Sequence, residues 1–290
     1  MGAGRHQPPA HVPLIVYEDG AALAEAAAAL VAAEARLAVE RSGRFTLALA
    51  GGSTPRATYH ALATQPLVRS VPWTATHVFW SDERCVPPDD PLSNERMARE
   101  ALLDHVPIPP EQVHPMRCAE PGMGESGPTG RTAERAAERY ERLLRATFPQ
   151  VAGAPAGAVH PPTVAMGLDL VLLGLGEDGH TASLFPGSAA AGEQQRWVAV
   201  SLPDGPALEG RVPNVRRVTL TTPFINLGAL VVFLVGGRSK AEIVRLVLET
   251  TAVGRPTLPA QLIHPNSGRL LWLLDREAAA LLAAPKEVRS

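Results

Sequence analysis

Five short apolar runs constrain this chain more than any other feature: FTLALA (45–50), HVFWSDE (77–83), LDLVLLGLG (168–176), ALVVFLVGG (229–237) and RLLWLLD (269–275). They are nearly continuous rather than alternating, so each strand must be covered on both faces. That is the situation of strands in a parallel sheet, joined through crossover helices. Amphipathic patterns at 21–41, 55–63, 94–104, 131–147 and 239–249 supply helices between most of them. The fold class is therefore α/β: a mainly parallel, doubly wound sheet with helices on both faces. RWVAVSL and RRVTLTT lie between the third and fourth runs with no long helix separating them, and predict a small side lobe.

The 290 residues suffice for one large unit. Residues 13–290 are read as a single domain behind a flexible N-terminal tail, 1–12. The stretches PGMGESGPTG and VAGAPAGAVHPPTVAMG are too rich in Gly, Pro and Ala to be regular, and are read as loops. A net charge of −2 with scattered Lys and Arg excludes the electrostatic footprint of a nucleic-acid binder. The alanine-rich segment 21–39 carries Glu25, Glu34 and Arg36, which excludes a membrane span. The tail lacks an apolar signal core, and two cysteines, Cys85 and Cys118, fit a reducing compartment better than a disulfide framework. A cytoplasmic protein is expected.

In such a Rossmann-like sheet, ligands bind beyond the carboxyl ends of the strands. Four of the runs end in unusual sequences. The first ends in GGSTP, where Gly52, Ser53 and Thr54 precede Pro55 at a helix start, the pattern of an anion cradle. The second ends in Asp82, Glu83 and Arg84, with an SN pair at 93–94 opening the next helix. The third, VLLGLGEDGH (171–180), contains Gly174, Gly176 and Gly179 in a dinucleotide-like spacing. Glu177 and Asp178 would set carboxylates beside a pyrophosphate, so the glycines read better as a sharp turn presenting His180. His180 is the natural acid/base candidate, with Asp178 able to orient it. The fourth ends in GGRSK, where Lys240 can face an anion; Arg217 in RRVTLT is a further candidate for that task.

These segments, LALAGGSTP, SDERCVP with SN downstream, GLGEDGHTASLFPG, and RVTLT followed by GGRSKAEIV, resemble in order and spacing the 6-phosphogluconolactonase branch of a superfamily that also contains glucosamine-6-phosphate isomerases. The resemblance spans about residues 14 to 275. It implies hydrolysis of a phosphosugar lactone by His180, assisted by Asp178 or Asp82. Gly52, Ser53, Thr54 and Lys240 would hold the phosphate, with Arg217 as an added contact, and Arg84 would bind substrate or carbonyl charge. It implies no metal and no organic cofactor, and leaves the oligomeric state open. The isomerase pattern carries a glutamate five residues after the histidine, where this chain has Phe185, and an aromatic where it has Arg84. The alternatives are an isomerase or deaminase of the same superfamily, and a non-catalytic sugar-phosphate sensor.

Overall fold

The computed structural model describes residues 13–118, 131–149, 166–203, 214–249, 257–283 and 288–289. The expected tail, the 121–130 loop and all but the last two residues of the 151–167 loop lie outside the described residues.

The chain opens with β1 (Leu14–Tyr17) and α1 (Gly20–Ser42). Asp19 caps α1 by accepting the amides of Ala21 and Ala22, both at 2.9 Å, and Gly43 in a left-handed conformation ends it by donating to Val39. The buried face of α1 is mostly small, with Ala24, Ala27, Ala28, Ala32, Ala35 and Ala38 spaced at helical intervals. Then follow β2 (Phe45–Leu49), α2 (Ser53–Leu62), β3 (Thr76–Trp80), β4 (Asp82–Arg84), α3 (Asn94–Ala101) and α4 (Arg131–Thr147). The remainder comprises β5 (Leu170–Leu173), β6 (Val198–Ser201), β7 (Arg217–Leu220), the one-turn α5 (Thr222–Ile225), β8 (Leu230–Val235), α6 (Ala241–Glu249), β9 (Arg269–Asp275) and β10 (Val288–Arg289).

Seven strands form one sheet in the order β10-β1-β9-β8-β5-β2-β3, and every pairing is parallel. All residues of β2, β5 and β8 are buried, as their unbroken apolar sequences require. From β2 the chain winds outward to β3, while β5, β8 and β9 wind the other way. The winding reverses between β2 and β5, and the loops leaving those strands diverge to open a crevice.

The second sheet is antiparallel, in the order β4-β7-β6, and is the side lobe expected from RWVAVSL and RRVTLTT. Its third strand corrects the sequence reading. HVFWSDE is not one strand: β3 stops at Trp80, and Asp82–Arg84 pair with β7 instead. Ser81 is the joint, its amide donating to Leu49 of the large sheet and its carbonyl accepting from Leu220 of the small one, both at 2.8 Å. A polar triplet has no place between two buried faces, so the chain leaves the large sheet where the apolar run ends. Strand β1 escaped the sequence reading because four residues, one buried and three half-buried, carry too weak a pattern. The expectation for the cysteines is also corrected. Cys85 and Cys118 are joined in a disulfide, with Cα atoms 5.0 Å apart.

Candidate active site

A cleft of about 330 Å³ lies over the β2/β5 reversal, and every candidate site residue from the sequence lines it. One wall is the N-terminus of α2. Gly52 takes φ 108°, a conformation strained for any residue with a Cβ, and no side chain caps the helix. The amides of Ser53 and Thr54 are therefore left without intrahelical acceptors, at the positive end of the helix dipole. The β8 loop adjoins this wall: a Cβ on Gly236 would lie 3.4 Å from the Thr54 hydroxyl. Gly237, with φ 93°, turns the chain there and donates to Asp275 at 2.8 Å. Lys240 follows in the next turn. Burial pulls its ammonium below the usual lysine range, against the opposing pull of Glu177 and Asp178.

The loop after β5 presents His180. Nδ1 lies 2.5 Å from Oδ1 of Asp178, which also accepts the His180 amide at 3.2 Å. An ionised carboxylate only accepts, so Nδ1 carries a proton toward Asp178, and in the neutral ring the lone pair then falls on Nε2. Burial pushes the Asp178 carboxyl up, but its bonds to His180 outweigh this and hold it below the ordinary range. The turn closes through Gly176, whose amide donates to the His180 carbonyl at 2.8 Å, and through Gly179 at φ 85°. On its far side the imidazole meets Phe185, with ring centroids 4.7 Å apart.

The third wall is the small sheet. Arg84 and Arg217 are directly opposed on β4 and β7. Like charges facing each other across a ladder repel, and an anion bound between them relieves that repulsion. Arg217 is 2 % exposed, yet among the described residues its Nε and Nη2 have no hydrogen-bond partner. Its Nη1 reaches the Ser183 hydroxyl at 3.5 Å, and Phe185 covers it with Cζ 5.4 Å from the ring centroid. Arg84 donates to the Leu92 carbonyl at 2.6 Å, while its Nε also has no partner among the described residues. The two candidate carboxylates differ in their contacts. Asp178 is bonded to His180, whereas Asp82 accepts from Ser183 at 2.6 Å and from Asn94 at 3.4 Å.

Supporting residues emerged only in three dimensions. Asn94 bonds the Asp82 carbonyl at 2.9 Å and fills the space in which Gly51 can have no side chain, since a Cβ there would sit 2.2 Å from Asn94 Oδ1. Glu83 caps α3 by accepting the amides of Asn94 at 2.8 Å and Glu95 at 2.7 Å, besides Arg84's own at 2.7 Å. The SN pair signalled that helix start, but the partner eleven residues upstream is a tertiary contact.

Burial raises Glu83 to about 7, outweighing the bonds from Asn94, Glu95 and Arg84. The folded protein then holds a proton between about pH 4.5 and 7 that the unfolded chain has released, so stability declines as pH rises through that window. Thermal melts at pH 5 and pH 8 should show a smaller difference for Glu83→Gln than for the wild type.

The family model for glucosamine-6-phosphate isomerases/6-phosphogluconolactonase matches residues 18–272. The chain is 39% identical to a 6-phosphogluconolactonase of Nostoc sp. over 269 residues, covering 92% of this chain and 97% of the relative. It is 42% identical to that of Synechocystis sp. over 252 residues, covering 86% and 90%. The solved structure of 6-phosphogluconolactonase from Trypanosoma brucei superposes with a TM-score of 0.76 at 34% identity, covering 94% of this chain and 99% of the other. With the crevice, the four strand-end motifs and this likeness in agreement over nearly its whole length, the chain belongs to the glucosamine-6-phosphate isomerase/6-phosphogluconolactonase family.

Proposed function

We propose that this protein hydrolyses 6-phospho-D-glucono-1,5-lactone to 6-phospho-D-gluconate, a step of the oxidative pentose phosphate pathway. The observation that carries this reading is one cleft holding both an oriented His180–Asp178 pair and a cluster of anion-binding groups. Its relatives named 6-phosphogluconolactonase support the choice of substrate.

The phosphate is held by the Ser53 and Thr54 amides and by Lys240, with Arg217, which lines the same cleft, as an added charged contact. Nε2 of His180 takes a proton from water as its oxygen bonds to the lactone carbonyl carbon. Arg84 offsets the charge that develops on the carbonyl oxygen. The tetrahedral adduct then collapses: the bond from the former carbonyl carbon to the ring oxygen breaks, and the imidazolium returns its proton to that oxygen. Asp178 holds the ring in the required tautomer and stabilises the imidazolium. The product acid ionises, so each turnover releases one proton. No electrons change hands, and the step needs no redox cofactor.

Proton release from freshly generated lactone, corrected for spontaneous hydrolysis, tests the reading. A rate no faster than background at any protein concentration would overturn it. Within the same reading, Lys240→Ala should raise KM about 10- to 100-fold, the scale of one charge-assisted contact, with a much smaller change in kcat. Initial rates across a range of lactone concentrations check this. The reading also places the protein in the cytoplasm with a small phosphosugar as its partner. Among the described residues no helix is long and apolar enough to cross a membrane.

A further inference from the structure

Ser183 is wholly buried and does not line the cleft, yet its hydroxyl lies between two groups that do. It donates to Asp82 Oδ2 at 2.6 Å and faces Arg217 Nη1 at 3.5 Å. Its amide donates to the Thr219 hydroxyl at 3.1 Å, which ties it to β7 two residues beyond Arg217. On the other side Thr181 is tied to the Gly174 carbonyl at 2.9 Å, and Ala182 takes a left-handed φ of 47°. A residue with a Cβ adopts that conformation only when its surroundings impose it. Here it turns the chain from the His180 loop so that Ser183 packs against the side chains of Asp82, Thr219 and Arg217 on the paired strands β4 and β7.

From this geometry we infer that Ser183 is a positioning residue for Arg217, acting through its hydroxyl and through Asp82. Arg217 has three sides to account for. Ser183 meets its Nη1, the Phe185 ring covers its face, and the buried Nε and Nη2 edge has no hydrogen-bond partner among the described residues, a lack that an oxyanion seated against it would make good. A guanidinium binds two oxygens side-on only when that edge is aimed. Asp82 attracts the guanidinium through space, but among the described contacts the hydrogen-bonded link between the two, which is what sets direction, runs through the Ser183 oxygen. The same short segment thus connects the base loop to the anion contact, and Ser183 is the atom-sized spacer between them.

The inference takes its substrate from the lactonase reading, but its test does not depend on turnover. Inorganic phosphate is titrated calorimetrically into wild type, Ser183→Ala, Arg217→Ala and the double variant. Ser183→Ala should weaken phosphate binding about tenfold, and in the Arg217→Ala background it should add less than twofold. With the lactone, KM should rise in step with the phosphate constant while kcat falls much less. Ser183→Cys, which keeps the volume and loses the strong donor, should match Ser183→Ala, and it carries the test if the alanine variant misfolds. Phosphate affinity within twofold of wild type in the folded variants, or a loss that adds in full to that of Arg217→Ala, would overturn the inference. Failure of wild type to accelerate lactone hydrolysis would instead remove the lactonase reading and leave the phosphate comparison standing.

Discussion

His180→Ala should lower kcat for lactone hydrolysis by about 10²- to 10⁴-fold, the range over which positioned acid/base groups act. Binding of 6-phosphogluconate should survive, because the groups proposed to hold its phosphate belong to α2, β7 and the β8 loop. Spontaneous lactone hydrolysis sets the floor of the assay, so the variant must be compared at several enzyme concentrations. Unchanged kcat would transfer the role of base to another group. Asp178→Asn should also lose activity, since an amide cannot stabilise the imidazolium as a carboxylate does, even where it keeps the 2.5 Å contact.

Gly176→Ala should be nearly as damaging without touching a titratable group. A Cβ at 176 would fall 2.1 Å from His180 Nδ1 and 2.6 Å from Asp178 Oδ1, distances no real contact permits. The imidazole and its carboxylate must separate or shift by about an ångström, a displacement that costs on the order of 10² in rate. Gly174→Ala is the matched control in the same loop. There the nearest atom to a new Cβ is the Gly51 carbonyl oxygen at 3.8 Å, an ordinary contact. Activity assays on the pair, with circular dichroism to confirm folding, should separate them by at least about tenfold in kcat/KM. Equal activities would mean that the close Gly176–His180 approach has no part in the reaction.

The large sheet was legible because burial on both faces leaves an unbroken apolar run, and β2, β5 and β8 are buried at every position. The site was legible because the polar motifs GGSTP, SDER, GEDGH and GGRSK stand directly against those runs, where the geometry of a parallel sheet concentrates strand ends. Long-range pairing was not. Nothing local in SDE says that the chain changes sheets at Ser81, that Glu83 caps a helix eleven residues away, or that Cys85 meets Cys118. The sequence also left Asp82 and Asp178 equal as partners of His180. Only Asp178 shares a tight turn with it, while Asp82 is occupied by Ser183 and Asn94.

The joint at Ser81 bears on how the cleft can respond to a ligand. Asp82, Arg84 and Arg217 ride on the small sheet, while His180 and the N-terminus of α2 follow strands of the large one. A closing motion of one against the other would need a pliable connection. Instead, a single residue spans the boundary and is stitched by its own backbone to both neighbours, Leu49 on one side and Leu220 on the other. We therefore expect the cleft to behave as a fixed notch rather than a jaw. Accommodation of substrate is then expected to fall to the rotamer of Lys240, and changes at the small sheet to retune what is bound without disturbing His180.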